Sequence, residues 1–195
     1  DVDYTPAVQG VYGEARGVML AGFWAHESAL REAVNYVYVK KFKQCADNWD
    51  SIFDTNVKGL FLVSKAFLPE TMEARKGAIV NITPVSGMFG DYGMTAYNAS
   101  KAAVINMTCA MALDYGKYGI RVNNVAPCST DTSMFPQETK SAFSKNSPLG
   151  RIVEPDEVAK VVFFMSTEDS SAITDETIPV TAGFEISTGQ PNMCE

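Results

Sequence analysis

The sequence predicts an α/β fold built on a doubly wound parallel sheet. Short apolar runs, Ala78–Ile82, Ile120–Ala126 and Thr177–Val180, have the near-continuous hydrophobicity of strands buried on both faces. Between them lie stretches with apolar residues at helical spacing. Strand, helix, strand, helix, strand in this order calls for a parallel sheet with helices over both faces.

Each element has a local reason. Asp50–Glu73 reads as a long helix: Ile52, Phe53, Val57, Leu60, Phe61, Phe67 and Leu68 recur at helical spacing, and Asp50 can cap the start. Gly77 ends the turn before the strand Ala78–Ile82, and a glycine-rich loop over 85–93 follows. A second long helix, about Thr95–Tyr115, carries Ala99, Ser100, Ala102, Ala103, Ala110 and Ala112, small residues that permit close contact. Gly116 and Gly119 stop it, and Pro127 breaks the strand that comes next. A polar loop runs to about Pro148, Glu154-Pro155 opens a helix over Asp156–Met165, and Thr177–Val180 is the last strand. Ligands of such sheets sit beyond the carboxyl ends of the strands. That rule selects the loops after Ile82 and after Ala126.

Composition narrows the chemistry. Of 195 residues, 46% are apolar and 20% charged, with a formal net charge of −7, ordinary for a folded domain with a substantial core. The acidic balance argues against nucleic acid as the main partner. One histidine, His26, leaves no three-histidine zinc site and no H-E-x-x-H helix, so no metal is expected. A Ser-His-Asp hydrolase is disfavoured for the same reason, and no G-x-S-x-G elbow is present. Cys45, Cys109, Cys128 and Cys194 are dispersed without a C-x-x-C pair, as in a reduced, cytoplasmic protein. The apolar stretch Gly17–Ala25 is far short of the roughly 20 residues of a membrane span, and the opening Asp-Val-Asp lacks a basic signal region.

At the start of the second helix stands Tyr97-Asn98-Ala99-Ser100-Lys101. The i, i+4 spacing puts Tyr97 and Lys101 on one helix face. An ammonium beside a phenol favours the phenolate, so a lowered Tyr97 pKa and an acid/base role are expected. By itself the pair is a weak signal, because tyrosine and lysine meet at this spacing by chance in many helices. Other motifs fall in order around it: Asn56-Val57-Lys58-Gly59, Ile79–Ile82, Ile120–Pro127, Pro148–Arg151, Glu154–Ala159 and Ile178–Gly183.

Together these motifs resemble the short-chain dehydrogenase/reductase family over about Asn48–Gly183. The resemblance implies a Rossmann-like fold and hydride transfer between NAD or NADP and a small alcohol or carbonyl. It also implies roles. Tyr97 matches the catalytic acid/base, Lys101 the lysine that tunes it and binds the nicotinamide ribose, and Asn56 the asparagine that helps hold a proton-relay water. Pro127 and Thr132 match the segment that contacts the nicotinamide carboxamide.

The chain departs from the family's pattern in several places. The catalytic serine is expected thirteen residues before the tyrosine, where this chain has Pro84, which offers no hydroxyl. Thr83 and Ser86 flank it. Ser86 is the expected deputy, because residues two apart on an extended segment face the same way. Cys128 stands where the family has a glycine against the nicotinamide. Gly13-Glu14-Ala15-Arg16-Gly17-Val18-Met19 looks like the glycine-rich turn that binds pyrophosphate, making Gly13 and Gly17 expected cofactor ligands, with Ala7–Val11 as the strand before it. Asn35, in Val34-Asn35-Tyr36, looks like the family's N-N-A-G strand end.

Only 22 steps separate Gly13 from Asn35. One crossover fits there and two do not. The expected architecture is therefore a Rossmann-like doubly wound parallel sheet lacking one N-terminal strand–helix unit. The strand whose end usually separates NAD from NADP goes with that unit. The chain then reads as one domain over 1–195: a compressed cofactor-binding part at 1–47, a family-matching part at 48–183 and a tail at 184–195. Three explanations stand side by side: a shortened enzyme, a relative without redox function that serves as a ligand-binding or scaffold protein, or part of a longer chain. The two long helices carry more apolar and small-residue surface than one sheet face covers, and their counterparts in the family commonly form interfaces. A homodimer or homotetramer is therefore expected.

Overall fold

A computed structural model of the chain describes residues 17–20, 23–26, 48–133, 135 and 137–186. The chain divides into two units, Asp1–Asn48 and Trp49–Glu195.

In the first unit, β1 (Gly17–Leu20) pairs antiparallel with β2 (Phe23–His26), Gly17 opposite His26 and Leu20 opposite Phe23. This corrects the expectation for Gly17, Val18 and Met19. They form a strand and not the end of a turn into a helix. Val18, Phe23 and Trp24 are β-branched or aromatic types that favour extended, paired backbone. The expected strand Ala7–Val11, Gly13 and Asn35 lie outside the described residues.

The second unit is a three-stranded parallel sheet in the order β3 (Gly77–Ile82), β4 (Ile120–Pro127), β5 (Thr177–Val180). Gly77 lies opposite Ile120 and Ile82 opposite Val125, while Pro127 pairs with Val180. The helices are α1 (Trp49–Phe53), α2 (Leu60–Ala74), α3 (Thr95–Tyr115), α4 (Lys140–Lys145) and α5 (Pro155–Ser166). The expected single helix over 50–73 is interrupted by a π-helical stretch, Asp54–Gly59. Widened turns of this kind concentrate at functional sites.

Alternation along the strands sends successive side chains to opposite faces. On one face, Leu68 of α2 and Met111 and Ala112 of α3 pack with Ile120 and Val122. Full burial of such a side chain contributes roughly 1.5–3 kcal/mol. On the other face, Arg121 donates to the carbonyls of Thr167 (3.0 Å) and Ile173 (3.2 Å), just beyond α5, and the Asn123 amide donates to Ile173 (2.9 Å). The sheet is thus covered on both sides, as expected from its apolar strands.

The core also carries a polar chain. Asn81 Nδ2 donates to Thr108 Oγ1 (2.8 Å), Thr108 Oγ1 approaches Asn124 Oδ1 (2.9 Å), and Thr83 Oγ1 donates to the same oxygen (3.1 Å). All four residues are buried, and among the described residues no buried side-chain polar atom lacks a partner. That satisfaction is what makes such a network tolerable inside a sheet. No helix among the described residues is long and apolar enough to cross a membrane.

Candidate active site

The parallel register brings the carboxyl ends of β3, β4 and β5 to one edge, so the loops after Ile82, Pro127 and Val180 open side by side. α3 starts at the same edge, because the chain returns from β3 through the 83–94 loop. Tyr97 and Lys101 lie in its first two turns, both half-buried.

The Lys101 ammonium sits over the Tyr97 ring, 5.6 Å from its centroid. The direction of the Tyr97 shift differs from the expectation. Burial, followed by the Asp91 carboxylate, raises the phenol above its ordinary value of 10.0. Both disfavour the anion. Burial in turn lowers the Lys101 ammonium from its ordinary 10.5. Among the described residues the Lys101 ammonium has no carboxylate and no hydrogen-bond acceptor, and it faces the ring.

Asn56 reaches this turn from the π-helical stretch. Its Nδ2 donates to Ser100 Oγ (3.0 Å), and Ser100 Oγ donates to the Tyr97 carbonyl (2.7 Å). Ser100 is fully buried. Sequence reasoning counted it only as a small residue for close packing. Its place between Tyr97 and Lys101 was the signal that could have singled it out.

The loop after β3 holds the departures from the family's pattern. Pro84 (φ −56°, ψ 158°) caps a 3₁₀ turn, Val85–Gly87. Ser86 therefore lies within a turn and not on an extended segment, so the face-sharing reason for choosing it does not apply. Thr83 is fully buried with its hydroxyl held by Asn124, which removes it as a substitute donor. Gly87 has a specific job: a Cβ there would lie 2.8 Å from the Lys101 carbonyl carbon, so only glycine lets the turn rest on α3.

Beyond β4, Pro127 is the last strand residue. The Cys128 thiol donates to the Thr181 carbonyl (3.2 Å), tying two strand ends together, and burial with the nearby Glu185 carboxylate pushes it up to about 11. Such a thiol is neutral and unreactive at physiological pH. Thr132 is exposed and its N–H bonds the Thr130 carbonyl at 2.9 Å. The loop is closed at its base by a bridge between Thr130 and Val153. An ion pair between Lys140 and Asp131 and an edge-on contact of Phe135 with Phe143 fasten its interior.

The structure thus brings Tyr97, Lys101 and Asn56 together through Ser100. Pro127 and Thr132 stand at the same sheet edge, and Ser86 lies in the turn that rests on Lys101. The residues around Tyr97 and Lys101 have the chemistry that the nicotinamide end of a dinucleotide needs. A half-buried ammonium without an acceptor among the described residues matches ribose hydroxyls, and the phenol beside it can exchange a proton with a substrate oxygen. No cluster of three metal-ligating side chains occurs among the described residues.

A family described as enoyl-(acyl carrier protein) reductase matches residues 34–185. The chain belongs to the short-chain dehydrogenase/reductase family. It is 43% identical over 150 residues to meso-2,3-butanediol dehydrogenase of Serratia marcescens, covering 75% of this chain and 59% of that one. To the 3-oxoacyl-(acyl-carrier-protein) reductase of Thermotoga maritima it is 38% identical over 143 residues, covering 72% and 58%. The chain therefore spans less than three fifths of the length of these relatives.

Solved structures agree on the fold. A gluconate 5-dehydrogenase of Burkholderia cenocepacia, in complex with NADP and tartrate, superposes with a TM-score of 0.69 at 26% identity, covering 73% of this chain and 58% of that one. A 3-oxoacyl-(acyl-carrier protein) reductase of Brucella melitensis with bound NAD gives 0.68 at 34% identity, covering 73% and 53%.

Proposed function

We propose that the chain belongs to an oxidoreductase that transfers a hydride between NAD or NADP and a small alcohol or carbonyl. The observation that carries this reading is Lys101: a half-buried ammonium, without an acceptor among the described residues, against the ring of Tyr97. When bound, the nicotinamide supplies or accepts the hydride. Tyr97 gives the proton that a carbonyl oxygen needs on reduction, or removes it from an alcohol on oxidation. Lys101 holds the ribose and offsets charge on the phenolate left behind. Asn56, tied to Ser100, fixes the turn carrying both and supports the water that reloads the phenol. Pro127 and Thr132 contact the carboxamide, Gly13 and Asn35 serve the rest of the cofactor, and Ser86 is the remaining hydroxyl for the substrate oxygen.

The relatives support both cofactors, since one solved neighbour carries NADP and another NAD. Titration of the purified chain with NADH and NADPH, by fluorescence and calorimetry, tests the reading. Micromolar binding with turnover of a small ketone is expected. Absence of binding at millimolar cofactor would leave the ligand-binding or scaffold alternative, which Pro84 and the buried Thr83 hydroxyl favour.

A homodimer or homotetramer is part of the proposal. Phe61, Leu62, Val63 and Phe67 of α2 and Leu113 of α3 are exposed, more apolar surface than two neighbouring helices leave to water. Sedimentation showing a strict monomer at micromolar concentration would remove it.

A further inference from the structure

At the amino ends of the strands, the sheet edge opposite to the one at which Tyr97 lies, there is a hollow of about 500 Å3. It opens between the starts of β3 and β4 and the turn that follows α5. Its size falls within the roughly 300–1,000 Å3 of small-molecule sites. Four charged residues line it: Arg75, Lys76, Arg121 and Glu168. Three cations against one carboxylate leave an excess of positive charge, in a chain whose formal total is −7. Glu73, Asp169 and Asp175, acidic neighbours in sequence, do not line it. A local site of this kind can bind anions on an acidic protein.

The two guanidinium groups are held in place without being neutralised. Arg121 donates to the carbonyls of Thr167 (3.0 Å) and Ile173 (3.2 Å). Arg75 donates to the Lys117 carbonyl (2.9 Å) and lies over the Tyr118 ring, 5.9 Å from its centroid. Neither forms an ion pair with a carboxylate among the described residues. Carbonyls and a ring fix the planar fork but leave its charge and its other N–H groups for a ligand. The backbone of Arg75 is also in a conformation that disfavours a side chain. It ends α2 at φ 51°, where glycine or asparagine is usual, and a Cβ at Gly119 would lie 2.5 Å from the Arg75 carbonyl oxygen. A long cation kept at a strained position is the pattern of a functional side chain.

Glu168 supplies the one anion. Its carboxylate binds the Lys76 ammonium at 2.7 Å, and this bond, with the charge of Arg121 beyond it, holds the carboxyl below its ordinary 4.5. The two side chains are 75% and 73% exposed, and an ion pair in water is weak enough to be exchanged.

We propose that this hollow binds a small phosphate-bearing anion through Arg75, Lys76 and Arg121, with Glu168 as the carboxylate that the anion displaces from Lys76. A phosphate carries more charge than the carboxylate and presents acceptor oxygens in the geometry that a guanidinium fork matches. The site is separated from Tyr97 by the length of the strands and depends on no step of the proposed hydride transfer.

The test is calorimetric titration of the whole 195-residue chain with inorganic pyrophosphate at low ionic strength, where screening is least. Saturable binding is expected, at least about fivefold weaker in Lys76→Met and in Arg75→Asn, and at least about threefold tighter in Glu168→Gln. Asparagine suits the left-handed backbone at 75, so a loss there is not a loss of the turn. Lys76 and Glu168 are exposed, and a gain in Glu168→Gln cannot come from unfolding. Lys101→Met, at the other edge of the sheet, leaves the affinity unchanged. Absence of saturation at about 10 mM pyrophosphate overturns the proposal, as does an affinity that neither Lys76→Met nor Glu168→Gln moves. Binding lost in Lys101→Met and kept in Lys76→Met overturns it too, because the anion then sits beside Tyr97.

Discussion

Asn56 and Ser100, 44 residues apart in sequence, share a hydrogen bond of 3.0 Å that fastens the π-helical stretch to the turn bearing Tyr97. Ser100 passes the link on to the Tyr97 carbonyl at 2.7 Å. Removing the hydroxyl in Ser100→Ala leaves a partly buried amide without its acceptor. The expected cost is about 1–2 kcal/mol in chemical denaturation. Under the proposed reaction kcat falls as well, because the turn carrying Tyr97 and Lys101 loses its brace. Parent stability in Ser100→Ala would show that water takes over the bond.

Tyr97→Phe keeps the ring under Lys101 and removes only the hydroxyl. NADH or NADPH affinity is expected to change by less than about threefold, while hydride transfer falls by at least a hundredfold. Lys101→Met lowers both quantities. A Tyr97→Phe chain with parent turnover would remove the tyrosine from the reaction.

Pro84→Ser supplies the hydroxyl that the loop lacks. Serine readily adopts the φ of −56° and ψ of 158° found there, so the turn over Val85–Gly87 is retained. With a donor added for the substrate oxygen, kcat/KM is expected to rise at least about tenfold. Ser86→Ala in the same background then has little effect. A loss in Ser86→Ala with no gain from Pro84→Ser would assign the donor to Ser86.

Gly87→Ala tests how the loop is seated. The added methyl carbon would meet the Lys101 carbonyl carbon at 2.8 Å, and backbone cannot move aside as a side chain can. A loss of roughly 1–3 kcal/mol is expected in thermal or urea unfolding, with weaker cofactor binding through the displaced Lys101. Unchanged melting would show that the loop lifts away from α3 without cost.

The start of α5 gives a pH prediction. Arg151 binds both Glu157 oxygens at 2.7 Å, and the Glu154 N–H donates to Glu157 at 2.9 Å. These bonds hold the Glu157 carboxyl down to about 2 from its ordinary 4.5. A depressed carboxyl contributes stability above its unfolded value and loses it as pH falls through the folded one. Glu157→Gln therefore melts below the parent at pH 7, and the two converge between about pH 4.5 and 2. A constant difference across that range would locate the effect elsewhere.

Much of the second unit was legible in the sequence because its signals are local. The helix expected over 95–115 and the strand over 177–180 have those bounds in the structure, and the helix expected over 156–165 spans Pro155–Ser166. Helical spacing, stop glycines and the Glu154-Pro155 start act within a few residues of the positions they govern. The first unit was less legible. The 13–19 turn is expected from glycine spacing and from its order before the later motifs, and β-forming residue types at 18, 23 and 24 favour a strand pair instead.

The sequence by itself determined the three strands of the second unit, the helices at 95–115 and 155–166, their order, and the i, i+4 pairing of Tyr97 with Lys101. Only the tertiary structure decided what surrounds that pair. It widened the helix at 54–59, made Ser100 the partner of Asn56, buried the Thr83 hydroxyl against Asn124, and folded Ser86 into a 3₁₀ turn. It also reversed the expected direction of the Tyr97 shift, because burial and Asp91 both act against the phenolate. Each of these depends on desolvation, or on where a loop or a residue far away in the chain comes to rest. Neither periodicity nor a motif contains that information.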